Sequence, residues 1–266
     1  MFVDTHLHVA DSKFDSDRDA VIQHASQAGV TTLIEIAESP STWDAAVALA
    51  EKYPFIYASL GIHPHHAHEA GPSQWPELSR KLRDLLKHPK VMAIGEFGLD
   101  YFRMQNTKEE QDYLFRRQLD LAKELGKPIV IHCRDAHGDT QKTLFDYYPD
   151  SSYAKNCPTP KGVIHCFTGT WEDAQAYLFH GFMLGVDGPV TYPNSKQLQE
   201  NVTRLPLERI VLETDSPYLP PQARRGQRNE PAQIPVIAES VGSLKHKTTE
   251  EVARQTTLNA KALFRI

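Results

Sequence analysis

Apolar and polar positions alternate between two periods along this 266-residue chain. Short runs rich in Val, Ile and Leu predict strands near 2–6, 31–37, 55–61, 91–95, 128–132, 162–166, 182–186 and 209–214. Longer stretches with apolar residues three or four apart predict helices near 16–28, 41–52, 74–87, 108–125, 139–147, 171–180, 195–203 and 232–243, with a last one near 249–264. Within 108–125, Phe115, Leu119 and Ala122 share a face that can lie on a sheet. Thr107 with Glu110, Thr170 with Asp173 and Thr248 with Glu251 have the spacing of capping boxes, and Gly126 followed by Pro128 ends the fourth helix.

Strands that alternate with helices imply an α/β protein with a parallel sheet. Eight such units favour a closed (β/α)8 TIM barrel over an open doubly wound sheet. No GxGxxG or Walker A sequence follows any of the strands, so a nucleotide-cradling loop is not expected. With no long Ser/Gly linker, residues 1–266 read as a single domain. Two long connections stand out: Pro149–Pro160, and Ser216–Pro231 with Pro217, Pro220 and Pro221 and three arginines.

In such a barrel the active site lies at the carboxyl ends of the strands. Read in order, those ends carry His6 and His8, Glu35, His63, Glu96, His132, His165, Asp187 and Asp215. Positions i and i+2 of an extended segment point the same way, so His6 and His8 can reach one ion. Imidazole and carboxylate together suit zinc, manganese, cobalt or iron. Six candidates, His6, His8, Glu96, His132, His165 and Asp215, exceed the needs of one catalytic ion and suit two ions sharing a bridge. Glu96, from the middle of the order, is the natural bridge. Strands one and eight adjoin in a closed barrel, which gives His6, His8 and Asp215 to one ion and leaves His132 and His165 for the other. The expected cofactors are two divalent ions (Mg, Mn or Zn).

Other residues have less defined roles. His63 and Arg134 are expected to face the substrate and to donate hydrogen bonds to an anion. His65, His66 and His68 read as loop decoration, and Glu35 and Asp187 as either site lining or structural pairs. Cys133 and Cys166 point away from their histidine neighbours and read as small core residues. Arg224, Arg225 and Arg228 form either a local phosphate-binding patch or a solvated basic loop. Tyr101 and Phe102 could stack on a base, with packing the plainer role.

A net charge of −5 excludes binding of a polyanion by a global field, so a nucleic acid would be held locally or through metal ions. Three cysteines do not make a disulfide framework and suit a reducing compartment. Asp4 and the two histidines interrupt any secretory h-region, and no apolar run approaches 18 residues. The expectation is a cytoplasmic protein with no membrane contact and no obligate protein partner.

These residues also carry a family resemblance. Asp4-Thr5-His6-Leu7-His8, Gly61-Ile62-His63-Pro64-His65, Ala93 to Tyr101, Ile131-His132-Cys133-Arg134, His165-Cys166-Phe167-Thr168-Gly169, Glu213 to Leu219 and Arg228-Asn229-Glu230-Pro231 stand in the order found in the TatD-family metal-dependent deoxyribonucleases, which the chain resembles over nearly its full length. The resemblance implies a two-metal site, with His6, His8, Glu96 and Asp215 on one ion and Glu96, His132 and His165 on the other. It also implies hydrolysis of phosphodiester bonds in DNA, as a 3′-to-5′ exonuclease on single-stranded or frayed ends. A metal-bound hydroxide would attack phosphorus in line, and Asp215 would orient it and accept its proton. Barrels of this kind also hydrolyse ester and amide bonds, so an aminoacyl-tRNA deacylase or a small-molecule hydrolase is the alternative. A non-catalytic, metal-stabilised interaction module is the remaining one.

Overall fold

The structure, a computed structural model, describes residues 1–149 and 160–266. The connection expected between Pro149 and Pro160, with Cys157, falls outside the described residues. Eight strands form one parallel sheet in sequential order: β1 (Phe2–Leu7), β2 (Val30–Ala37), β3 (Ile56–Leu60), β4 (Val91–Asp100), β5 (Ile129–Arg134), β6 (Gly162–Ile164), β7 (Phe182–Val186) and β8 (Ile210–Leu212). The ring closes between its first and last members. Thr5 Oγ1 donates to Leu212 O at 3.0 Å, Asp215 N to His6 O at 2.9 Å and His8 N to Ser216 O at 2.8 Å. Asp4 locks the same seam. Its buried carboxylate accepts the Thr214 hydroxyl at 2.6 Å and the Thr214 amide at 3.0 Å.

Helices α1 (Arg18–Gln27), α2 (Trp43–Lys52), α3 (Trp75–Leu85), α4 (Lys108–Leu125), α5 (His137–Tyr147), α6 (Trp171–Phe179), α7 (Lys196–Arg204) and α8 (Ile234–Lys245) occupy the connections and the segment after β8, and α9 (Thr249–Phe264) ends the chain. All three expected capping boxes form, at the starts of α4, α6 and α9. The alternation of side chains splits the apolar residues into two cores. One faces outward to the helices. The other fills the barrel with Val3, Ile34, Ile36, Ala93, Val130, Val163, Met183 and Val211, and Leu263 and Phe264 of α9 close its base. Full burial of each large aliphatic side chain contributes roughly 1.5–3 kcal/mol. The barrel is therefore solid below, and only its carboxyl-terminal mouth has room for chemistry.

The fourth strand runs past the expected end at residue 95. Phe97, Gly98, Leu99 and Asp100 stay in register with Ile131, His132, Cys133 and Arg134. Phe97 and Leu99 point out to the helices, with Phe97 against Phe115, so Glu96 and Asp100 point in. Two glycines make this possible. At Gly98, whose φ is +152°, a Cβ would lie 2.0 Å from the His132 carbonyl oxygen. Gly95, at φ +144°, would collide with Val130 in the same way. By contrast, β6 and β8 stop after three residues, which leaves His165 and Asp215 in the turns just beyond them.

Two buried glutamines of α4 tie the mouth to its wall. Gln118 accepts from Ile62 N at 2.8 Å and donates to Ile62 O at 3.0 Å, beside His63. Gln111 makes the same pair of bonds with the backbone of Asp100.

Candidate metal centre

At the mouth, His8, His63, Glu96, His132, His165 and Asp215 line a cavity of about 430 Å³, with Arg103, Arg134 and Tyr218 at its rim. His6 lies beneath, fully buried, its ring stacked on His165 at 3.4 Å between centroids. Donor atoms gather in three sets within 4.8 Å of one another: His6, His8 and Glu96; His6, His165 and Asp215; His63, Glu96 and His132. Glu96 is common to two of them, at 3.3 Å from His6 Nε2 and 2.7 Å from His132 Nδ1. His165 stands between the groups, with Nε2 4.0 Å from Glu96 Oε1 and 3.8 Å from Asp215 Oδ1.

His8, His165 and His132 each have an oxygen neighbour at a ring nitrogen. Nδ1 of His8 faces the Ile36 carbonyl at 3.0 Å, so it carries the proton and Nε2 presents a lone pair toward Asp215 Oδ1, 3.4 Å away. Nδ1 of His165 lies 2.9 Å from Glu213 Oε1, which leaves Nε2 to the cavity. His132 sits between Glu96 on Nδ1 and Asp100 on Nε2. Oxygen partners behind the ligand ring are the usual support of metal-bound histidine. His63 is the reverse case. Its Nδ1 accepts the His65 amide at 3.1 Å, so its neutral ring carries the proton on Nε2 and offers a donor, not a lone pair. Burial and the neighbouring His132 hold His63 well below its ordinary pKa, which keeps that ring neutral.

The residues fit a cation. Burial opposes ionisation of Glu96, yet His165, His6 and the bond from His132 hold it well below the usual carboxylate range. Asp215 is lowered too, against its burial, first by His8. Among the described residues no Lys or Arg pairs with either carboxylate. Both ring nitrogens of His6 are buried without a hydrogen bond, although Nε2 lies close to Glu96. A buried anion needs a compensating charge and a buried nitrogen needs a partner, and an ion held among these lone pairs supplies both.

The remaining predicted residues fall into place around this centre. Arg134 ends β5 at the cavity rim, its guanidinium 4.0 Å over the ring of Phe102. Glu35 is a structural pair: it accepts the amides of Val9 and Ala10 at 2.8 and 3.1 Å and so shapes the turn after His8. Asp187 lies buried below the cavity, with burial first and Glu213 second raising its pKa to about 8. Cys133 is buried against His137 and Tyr177, and Cys166 is partly buried.

Sequence reasoning missed three residues. Asp100 Oδ2 lies 2.9 Å from His65 Nε2 as well as 3.2 Å from His132, and its Oδ1 accepts the amides of Phe102 and Arg103. Its signal was parity, because Asp100 shares the inward face of β4 with Glu96. His65 is therefore part of the site and not loop decoration. Glu213 supports His165 and accepts the Cys166 amide at 2.5 Å.

A (β/α)8 barrel whose strand ends converge imidazoles and carboxylates on one mouth defines a metal-dependent hydrolase. The family model of the TatD related DNases matches residues 3–265, and the chain belongs to that family. It is 39% identical, over the whole of both chains, to a protein of Bacillus subtilis named an uncharacterized metal-dependent hydrolase, YabD. It is 37% identical to the 3′-5′ ssDNA/RNA exonuclease TatD of Erwinia billingiae, over 99% of this chain and 98% of that one. Among solved structures, the Escherichia coli TatD homolog YJJV superposes with a TM-score of 0.90 at 31% identity, covering 100% of this chain and 98% of the other. Among the described residues, no helix is long and apolar enough to cross a membrane.

Proposed function

We propose that this protein is a 3′-to-5′ exonuclease that hydrolyses single-stranded or frayed DNA, with residues 1–266 working as one domain and two divalent ions (Mg, Mn or Zn) at the mouth. The observation that carries the reading is the set of oriented histidines, His8, His132 and His165, converging with His6 on Glu96 and Asp215. His6, His8, Glu96 and Asp215 would hold one ion, and Glu96, His132 and His165 the other. When bound, such ions lower the pKa of water and neutralise phosphate oxygens.

This chain's residues supply the rest. Asp215 is more open than Glu96, with its side chain 14% exposed against 4%, so it is the carboxylate placed to orient the attacking water and take its proton. His63 offers its Nε2–H to a phosphate oxygen at the cavity floor. Arg134, held flat by Phe102, offers its guanidinium from the rim. The cavity has the volume of a small-ligand pocket, which suits one nucleotide of a separated strand and not a duplex. The cytoplasm is the compartment that the low, odd cysteine count suits.

Digestion of end-labelled single-stranded DNA, with chelator and metal add-back, tests the reading. Glu96→Ala and Asp215→Ala should each abolish cleavage while circular dichroism shows a folded chain. Full activity in either variant refutes the roles. Hydrolysis of an ester panel with no attack on DNA would overturn the substrate.

A further inference from the structure

Beside the metal cavity, and sharing Leu219 with it as a wall, lies an open groove of about 500 Å³. Its floor is Pro217, Leu219 and Pro220, and its sides are Lys13, Tyr192 and the 225–228 turn. The arginine cluster of this loop divides here. Arg228 is engaged: it grips Asp17 with both Nη atoms at 2.9 and 2.6 Å, and it also reaches Glu230 at 3.3 Å and the Lys13 carbonyl at 2.7 Å. Arg225 is exposed and has no carboxylate partner among the described residues, its guanidinium lying 4.6 Å over the ring of Tyr192. Lys13 likewise has no acid partner among the described residues, and its Nζ lies 4.1 Å over the ring of Tyr218.

Tyr218 lines the metal cavity and carries Lys13 of the groove on its ring. Its ring stands 6.0 Å from that of His8, so one residue separates the metal centre from Lys13. Its hydroxyl is fixed on Asp11 at 3.2 Å. The loop beneath is pinned, because Asn229 donates to Thr214 O at 2.8 Å and to Tyr218 O at 2.7 Å. The groove is thus built in advance, with two unneutralised cations on aromatic faces over an apolar floor. That combination of backbone-tracking charge and stacking rings is how single strands are held without regard to sequence.

We propose that Lys13 and Arg225 bind the phosphodiester next to the one being cleaved, with Tyr218 and Tyr192 offering faces to its base, so that the strand leaves the metal centre across Leu219. This assignment rests on the exonuclease reading. It predicts that the groove acts only on substrates with a second nucleotide.

The test compares the wild type with Lys13→Ala/Arg225→Ala on two substrates: an oligothymidylate of about twelve nucleotides, and a p-nitrophenyl ester of thymidine 5′-phosphate, which ends at the metal centre. The double variant should raise KM for the oligomer roughly tenfold and lower the slope of log KM against log salt by about 0.7 per lost phosphate contact. On the nitrophenyl ester its kcat/KM should stay within about twofold of wild type. Lys13→Arg should restore most of the loss. An unchanged oligomer KM, or an equal loss on both substrates, overturns the proposal. If the wild type itself leaves the oligomer intact, the exonuclease reading fails separately. Fluorescence anisotropy of the bound oligomer then decides the groove, which is refuted if affinity and salt slope match between the two proteins.

Discussion

Oδ2 of Asp100 stands 3.2 Å from His132 Nε2 and 2.9 Å from His65 Nε2, so one buried carboxylate orients two imidazoles from different elements. Its other oxygen is fixed by two backbone amides, which leaves it no freedom to follow a ring that moves. Removing this support should loosen the metal centre without touching a ligand. Asp100→Ala is expected to weaken metal affinity 10- to 100-fold, read by competition with a chromophoric chelator. Unaltered affinity would show that His132 holds its place unaided.

Gly98→Ala inserts a methyl group where the His132 carbonyl oxygen would be 2.0 Å away, at a φ of +152° that other residues avoid. The β4–β5 pairing must open to accept it. A loss on the order of 3 kcal/mol in urea unfolding is expected, with metal binding lost as His132 shifts. A variant with wild-type stability would mean that the two strands can separate there at little cost.

Glu35 couples stability to pH. Burial raises its pKa from an ordinary 4.5 to about 7, so between these values the unfolded chain has released a proton that the folded chain still holds. Stability contributed at this site is therefore highest below pH 4.5, falls as pH rises, and is lost above 7. Glu35→Gln removes the titration. With chelator present, wild-type stability relative to this variant should drop on the order of 3 kcal/mol between pH 4.5 and 8. A rise over the same range contradicts the assignment.

Thr248 caps α9, and its hydroxyl accepts the Glu251 amide at 3.1 Å. Thr248→Ala should cost about 1 kcal/mol, measurable as a lower Tm with unchanged metal affinity. A change in affinity would tie this helix to the mouth in a way its position below the barrel does not provide.

Much of this site was legible because strand ends are marked twice in sequence, by the close of an apolar run and by the polar residue that follows. His8, His165 and Asp215 stand just past strand ends, while His6, Glu96 and His132 lie in the second half of their strands, and all six gather at one mouth, His6 beneath it. What could not be read is pairing across strands. The Ile36 carbonyl behind His8 and Glu213 behind His165 depend on register between segments far apart in the chain, which no local pattern reports. The run of histidines from His63 to His68 hid a functional member, because only the fold shows that His65 reaches Asp100 while His66 pairs with Glu69 on the outside. The length of β4 was missed for a related reason: glycines usually interrupt strands, and here they permit one.

The seam where Asp4 holds Thr214 has a consequence for how the protein matures. His6 and His8 belong to β1 and the residue after it, whereas Asp215 follows β8, so they come together only once the ring has closed. Until the ring shuts, those first imidazoles are without Asp215 beside them. Assembly of the full set of donor atoms is thereby tied to closure of the whole barrel.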